Sequence, residues 1–408
     1  MDLPPPAYKP PAGLAAVTAS VPDTSANRHV VVLVPSAESS DPNLDYYNDY
    51  SQSHAEYTRV FEALGYAWSW QPVTMADFRP IIEALAAQAR TTRTIVLNLC
   101  DGDEVNGVPG ISVVRYLDDL RLCYTGADAN FYDITTSKIS MKQIFDRTNV
   151  PTSPWEVLMP GGEDVATAGL DRHDVAGIFT RLGTPLIVKP AISAGSMGIT
   201  VDSVVHTEHA LRTQLDALRN GYRGWNLAGG GVLVERFVTG PEYTTFIVGS
   251  YDAADACTVY RPVERVFNRA LPPTQQFLSF DRLWEIYERE APIADGEYLW
   301  EYATVTSPLA QRVMDVSMAA YTSMGGRGYG RVDLRLDADT NELYVLEVNA
   351  QCGLSEDENY TSIGAILRFA DVPFGDVVQQ IIVDAERSHA IRNLPLSGDS
   401  SRPAGASS

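Results

Sequence analysis

The sequence predicts an α/β protein. Three observations carry that reading: short, fully apolar strands such as HVVVLVP (29 to 35) and TIVLNL (94 to 99), helical segments between them, and alternation of the two along most of the chain. This is the pattern of a parallel sheet covered by helices. The segments HAEYTRVFEALG (54 to 65) and ADFRPIIEALAAQAR (76 to 90) are predicted helices, the first closed by Gly65. A second block opens with a helix near Lys138 and continues through the strand PLIVKP (185 to 190), a glycine-containing loop and a strand GITVDSV (198 to 204). A helix around His209 to Leu218 and the strand GVLVERF (231 to 237) complete it. The third block holds a helix with Leu309, Val313, Val316 and Ala320 on one face, ending at Gly325-Gly326, then the strands GYGRVDLRLD (328 to 337) and LYVLEVN (343 to 349).

The expected organisation is a flexible tail over 1–28, an N-terminal parallel-sheet domain over 29–137, a central domain over 138–242, a C-terminal α+β domain over 243–385 and a second flexible tail over 386–408. The chain of 408 residues, 45% hydrophobic and 20% charged, has the composition of a globular protein with a sizeable core. A net charge of -21 argues against a nucleic-acid or anionic-membrane partner, which an acidic surface would repel. Cys100, Cys123, Cys257 and Cys352 show no CxxC spacing, so neither a zinc site nor a disulfide framework is indicated. No apolar run reaches the roughly 18 residues a membrane helix needs, and MDLPPPAYKPPAG lacks the character of a signal peptide. A cytoplasmic location is expected.

Chemistry first shows where polar residues interrupt apolar strands. Side chains alternate across a strand, which puts Glu347 and Asn349 on one face and Leu346 and Val348 on the other. In the strand before, Arg331, Asp333 and Arg335 share one face and Val332, Leu334 and Leu336 the other. If the two strands pair through a turn at Ala338 to Glu342, Asp333, Glu347 and Asn349 converge beside Arg331. Hard oxygen donors of that kind suit Mg2+ bound with phosphate; a hairpin with a solvated outer face explains the same residues. Upstream, Lys189 leaves an apolar strand just before SAGSMG (193 to 198), where small residues let backbone N–H groups approach an anion. It is not a Walker loop, because GxxxxGK[ST] is absent. In GVLVERFVTGPEYTTF, Glu235 ends one strand and Glu242 opens the next, an arrangement able to offer a purine edge to the backbone and a carboxylate to ribose. Two solvent-facing acids around a turn are the plain alternative.

Taken in order, Lys138, PLIVKP with SAGSMG, GVLVERFVTGPE, GRVDLRL and LEVNAQCGLS resemble the ATP-grasp superfamily, and most of all the D-alanine-D-alanine ligases, over roughly residues 94 to 385. The resemblance implies a three-domain ATP-grasp fold with ATP between the central and C-terminal domains. Lys138, Lys189, Ser196 and Gly198 would attend the phosphates or base, the backbone at Glu235, Arg236, Phe237 and Val238 the adenine, and Glu242 the ribose. Asp333, Glu347 and Asn349 would hold two Mg2+ ions, which Mn2+ could replace. Arg331 and the Gly353 N–H would stabilise charge in the reaction, in which the carboxylate of an amino acid is activated as an acyl phosphate and captured by an amine. The substrates implied are small molecules, amino acids or amines, with a homodimer compatible with the family. An inactive ATP-binding regulator of the same fold is the alternative.

The chain also departs from that pattern. VPSAESSDP replaces the usual glycine pair after the first strand, with Glu38 as the candidate for orienting the donor amino group, and the aromatic-rich DYYNDY (45 to 50) follows. Gly195 stands where the ligases often have a serine. In FLSFDRLWEIY (277 to 287) no lysine occupies the place expected for phosphate contact, and Arg282 is the candidate substitute. Cys352 takes the place of a proline. Nine residues beyond Asn349, where the ligases have a serine that helps hold a substrate carboxylate, this chain has Glu358, within SEDEN (355 to 359). With Ser355, it marks an acceptor site that would disfavour a carboxylate and suit a positive or uncharged group. Alternatively Ser355 caps a helix whose first turn carries the acids.

Overall fold

The computed structural model describes residues 28–36, 49–102, 104, 107–158, 175–222, 224–294, 297–359 and 361–393. Glu38 and Asp45 to Asn48 lie outside the described residues. Near the N-terminus, strands β1 (Arg28–Pro35), β2 (Ala67–Val73), β3 (Arg93–Asn98) and β4 (Cys123–Tyr124) form a parallel sheet in the order β2-β1-β3-β4. Helices α1 (Ser51–Leu64), α2 (Phe78–Gln88), α3 (Ile111–Asp119), α4 (Ala129–Thr136) and α5 (Lys138–Thr148) accompany it. The apolar runs are explained by this topology: both faces of a crossover-connected sheet are covered, and Val30 to Val34 are at most 2% exposed. Gly65 ends α1 at φ 67°, as a left-handed C-cap requires. Strand β2, AWSWQPV, has mostly half-buried residues and no clear alternation, and sequence pattern did not single it out.

A second sheet, antiparallel, contains β5 (Trp155–Leu158), β6 (Leu186–Pro190), β7 (Val204–Val205) and β8 (Val232–Arg236) in the order β5-β8-β6-β7. Helices α6 (Val175–Leu182) and α7 (Glu208–Asn220) supply Ile178, Leu211 and Leu215 to its core with Leu186, Val188 and Val234. The strand expected over 198–204 is instead a turn and a short 3-10 helix, Val201–Ser203; only Val204 and Val205 pair with β6. Polar Thr200, Asp202 and Ser203 close that turn, with Ser203 Oγ accepting from Thr200 N at 3.0 Å.

The third sheet is also antiparallel and runs β12-β11-β9-β13-β14, with β10 beside β9. Its strands are β9 (Glu242–Val248), β10 (Thr258–Val259), β11 (Val263–Phe267), β12 (Trp300–Thr304), β13 (Tyr329–Leu336) and β14 (Leu343–Ala350). Helices α8 (Phe280–Trp284), α9 (Leu309–Ser323), α10 (Ser362–Ala370) and α11 (Phe374–Arg392) complete the chain. First and third sheets share two cores, one joining Val31, Val96, Phe131 and Phe145 to Tyr321, Val332 and Val348, the other joining Val30, Tyr57 and Phe61 to Phe246, Ile363 and Val377. The second sheet keeps a core of its own.

Three boundaries differ from expectation. Helix α5, assigned from sequence to the central block, packs into the first core through Met141, Ile144 and Phe145. Helix α11 extends to Arg392, into the segment expected to be a tail, because Glu386 bonds Arg28 at 2.9 Å and Arg93 at 2.7 Å while Arg392 bonds Asp118 at 2.9 Å. In β14 the register shifts opposite Asp333 and Leu334, so Val345 and Val348 are the buried pair and Leu346 turns to the same cleft as Glu347 and Asn349. No helix among the described residues is long and apolar enough to cross a membrane.

Candidate active site

A cleft of about 690 Å3 opens between the second and third sheets and reaches the ends of the N-terminal strands. Its floor is the open face of β9, β11, β13 and β14. The β13–β14 hairpin pairs Asp333 with Glu347 and Arg331 with Asn349, so the expected convergence occurs. Arg331 reaches Asp333 by Nε at 3.1 and 3.2 Å and by Nη2 at 2.9 Å. Thr244 Oγ1 at 2.7 Å and Asn349 Nδ2 at 3.0 Å also donate to Asp333. Burial alone would raise the Asp333 carboxyl, but Arg331 overrides it and holds it below the usual range. Glu347 lies 3.8 Å from Lys138 Nζ, which donates to the Ser193 carbonyl at 3.2 Å. Among the described residues no three His, Cys, Asp or Glu side chains gather as a metal cage.

The roof is built around Glu235. Its carboxylate, 2% exposed, lies 2.5 Å from Lys189 Nζ and 2.5 Å from Lys142 Nζ and accepts from Ser153 Oγ at 2.9 Å. Burial opposes its ionisation; the two ammonium groups prevail and hold it well below the ordinary carboxylate value. Burial lowers Lys142, with Glu235 resisting. Sequence reasoning missed Lys142, yet a signal was there: the chain has four lysines, Lys9, Lys138, Lys142 and Lys189, against 31 basic residues in all. A chain that otherwise uses arginine keeps three of its lysines around one cleft.

Beyond Glu235, the N–H groups of Arg236 and Phe237 already donate to the Pro154 and Pro185 carbonyls at 2.9 Å. Arg236 turns to Asp337 at 2.9 Å, while Phe237 packs edge-on against Phe277. Glu242 is gripped from both sides, by Arg335 at 3.1 Å and by Arg265. Arg265 was also missed; it donates to the Tyr302 hydroxyl at 3.2 Å, lies over the Trp300 ring, and leaves its buried Nε unpaired.

Across the cleft mouth runs the long connection between β11 and β12. It docks on the loop after β6: Trp284 Nε1 donates to the Gly195 carbonyl at 2.9 Å, Ser196 Oγ to the Leu278 carbonyl at 3.2 Å, and Phe280 N to the Ile199 carbonyl at 2.8 Å. This explains Gly195. A Cβ there would lie 2.9 Å from the Trp284 ring, so the indole covers the place a serine would fill. Gly198 is equally constrained, at φ 80° with Pro190 Cγ 2.8 Å from a Cβ. Arg282 does not reach the cleft as expected. It is buried and paired with Glu290 at 3.0 Å, and it also donates to the Gln275 and Phe277 carbonyls.

After β14 the chain turns through Gln351, Cys352 and Gly353, which all line the cleft. Burial pushes the Cys352 thiol up to about 12, which keeps it protonated. Gln351, at φ 54°, donates to the Asn98 carbonyl at 2.9 Å and accepts from Ala127 N at 2.6 Å, tying the turn to the N-terminal layer. Ser355, expected to touch substrate, is fully buried and committed: its Oγ donates to Glu56 at 2.8 Å and accepts from Asp357 N at 3.0 Å. Nor does it cap the following helix; Thr361 does, accepting from Ile363 N at 2.9 Å. Glu358 lines the cleft, but its carboxylate is paired with Arg368 at 2.7 Å. The expected repulsion of a carboxylate is therefore largely neutralised. The N-terminus of α10 faces the cleft beside it, with Ser362 only 3% exposed and its Oγ unpaired.

The same fold occurs in solved D-alanine–D-alanine ligases. The Bacillus anthracis ligase complexed with ATP superimposes with a TM-score of 0.58 at 18% identity, covering 90% of this chain and all of that one. The Coxiella burnetii ligase gives 0.59 at 16%, covering 90% and 97%. The fold is that of the ATP-grasp ligases, and the family match with the curated relatives defines the class: an ATP-dependent enzyme that joins a carboxylate to an amine. The chain belongs to the family described as "D-ala D-ala ligase C-terminus", whose model matches residues 144–383. Among curated relatives it is 26% identical to the D-alanine–D-alanine ligase of Desulforudis audaxviator over 66% of this chain and 75% of that one, and 27% identical to that of Rhodospirillum rubrum over 77% and 87%.

Proposed function

We propose that the chain ligates an amino acid, through its carboxylate, to an amine by way of an acyl phosphate. The observation that carries this reading is the row formed by Arg331, Asp333, Glu347 and Asn349 on one hairpin, with Lys138 3.8 Å from Glu347 and Lys189 on the wall of a cleft large enough for a nucleotide and a second substrate. Two carboxylates and an amide suit Mg2+, which completes its shell with water and phosphate. Two such ions would neutralise phosphate charge and hold the γ-phosphoryl group in line.

In this reading the chain's own groups divide the work. Lys138 and Lys189 draw phosphate oxygens into the loop at Ser196 and Gly198. The Arg236 carbonyl and Val238 N–H meet the adenine edge, and Glu242, already oriented by Arg265 and Arg335, accepts from the ribose. Arg331 exchanges part of its hold on Asp333 for the transferring phosphoryl and then the tetrahedral oxyanion, together with the Gly353 N–H. The unpaired Ser362 hydroxyl and the α10 N-terminus face the acceptor, and with Glu358 neutralised by Arg368 they favour an acceptor that brings a carboxylate or another hydrogen-bond acceptor.

ADP release with pooled D- and L-amino acids, followed by mass spectrometry of the products, tests the reading. Release that needs a carboxylate and an amine, and vanishes in Glu347→Gln, supports it. ATP binding without release under any pool would instead identify a nucleotide-binding regulator.

A further inference from the structure

Helix α1 carries an acid that the reaction scheme does not use. Glu56 has no exposed surface, and among the described residues no Lys or Arg forms an ion pair with it. Burying a carboxylate without a cation costs several kcal/mol unless hydrogen bonds replace its water. Three donors do so: Gln52 Nε2 at 3.0 Å and Ser355 Oγ at 2.8 Å on one oxygen, and the Glu356 N–H at 3.2 Å on the other. Two carboxylate oxygens can accept from all three, whereas an amide would turn a donor toward one of them.

Two of these donors belong to the loop that links β14 to α10, the segment that starts at Gly353 and brings Asp357, Glu358 and Asn359 to the cleft wall. Helix α1 adds a second contact, from the Tyr57 hydroxyl to the Leu354 carbonyl at 3.4 Å, and a third in the surface pair of Arg59 with Glu356. Gly364 allows the loop to cross α10 closely, since a Cβ there would lie 2.5 Å from the Glu356 carbonyl oxygen. Gln351 fixes the loop's entry and the Thr361 N–H, bonded to the Asp357 carbonyl at 3.0 Å, fixes its exit. Its middle is fixed from the N-terminal layer, by Glu56.

We propose that Glu56 is a positioning residue for ligation, holding the 353–358 loop so that the Gly353 N–H and the acceptor wall face the reacting carbonyl. This rests on the ligase reading. It touches no substrate; it acts through Ser355 and Glu356, and it makes the N-terminal layer responsible for how the amine is met.

The test compares wild type with Glu56→Gln, Glu56→Ala and Ser355→Ala, the last removing the same bond from the loop side with little risk to α1. Steady-state ADP release is measured with the amino-acid pair that the pooled screen selects, and hydrogen exchange follows the Glu356 and Asp357 amides. The expected result is a loss of about 10- to 100-fold in kcat/KM for the amine, greater for Ala than for Gln, with KM for ATP within about twofold of wild type and faster loop exchange. A parallel rise in both KM values, or unchanged exchange in Glu56→Ala and Ser355→Ala, would overturn it. If wild type releases no ADP with any pool, the ligase reading fails by itself, and unchanged exchange would still remove Glu56 from its role.

Discussion

Lys142 Nζ lies 2.5 Å from Glu235 Oε2 with both side chains at most 2% exposed, and Lys189 binds the other oxygen of the same carboxylate. The two lysines start on different elements, α5 and β6, so one buried acid ties the helix beneath the first core to the roof of the cleft. Truncating one partner of a buried ion pair leaves the other charge partly unpaired, at a typical cost of about 3–5 kcal/mol. Lys142→Met should lose stability on that scale, moderated by Lys189, and urea unfolding should show it as a lower midpoint at unchanged slope.

The titration of the site should shape its acid stability. Glu235 and Asp333 both have depressed folded values, so their contribution is fully present above the unfolded carboxylate range near pH 4 and is lost as the pH falls through the folded values. Asp101 acts oppositely. Desolvation by the surrounding protein pushes it up to about 6 although the residue itself stays exposed to the cleft, so the fold favours its protonated form by a small margin that is present below about pH 4 and gone by about pH 6. Contact with cleft solvent damps the size of that effect. Urea midpoints from pH 3 to 8 should fall on the acid side in wild type, fall less in Glu235→Gln, and rise near neutrality in Asp101→Asn.

Gly195→Ala should separate the β11–β12 connection from the loop it covers. The new methyl meets the Trp284 ring, and residue 195 sits at φ 53°, where a side chain is disfavoured by roughly 1 kcal/mol. Tryptophan emission should shift to the red and limited proteolysis should begin within residues 268–294. Unchanged emission would show that the indole does not depend on the glycine.

Glu358→Gln should alter acceptor choice little, by less than about threefold, because Arg368 already offsets the charge. Ser362→Ala should raise KM for the acceptor several-fold, as expected for one lost hydrogen bond of about 1 kcal/mol, and leave KM for ATP unchanged. The reverse ranking would return specificity to the acidic run.

Much of this was legible in the sequence, and the limits have physical causes. The β13–β14 hairpin could be read because alternation fixes which side chains share a face, and pairing then brings Asp333 opposite Glu347. The bulge that turns Leu346 into the cleft could not, since one extra residue leaves the local pattern intact while shifting the register. Counting nine residues from Asn349 led to Glu358, but charge pairing depends on Arg368, in the last turn of the next helix. Arg282 was the candidate because it is the basic residue in FLSFDRLWEIY, a stretch without lysine; Glu290, eight positions on, folds back to pair with it. Ser355 was read as a ligand for want of Glu56, 299 residues earlier in the chain. Long-range partners are what a linear reading lacks.

The economy of lysine has a practical outcome for chemical labelling. An amine-directed reagent finds few targets on this protein: the terminal amine, Lys9, the buried Lys138 and Lys142, and Lys189, which lines the cleft with its side chain 13% exposed. Acylation of the described part of the chain would thus report on the cleft alone, so a single mass increment at Lys189 that disappears when ATP is added would count occupied molecules directly.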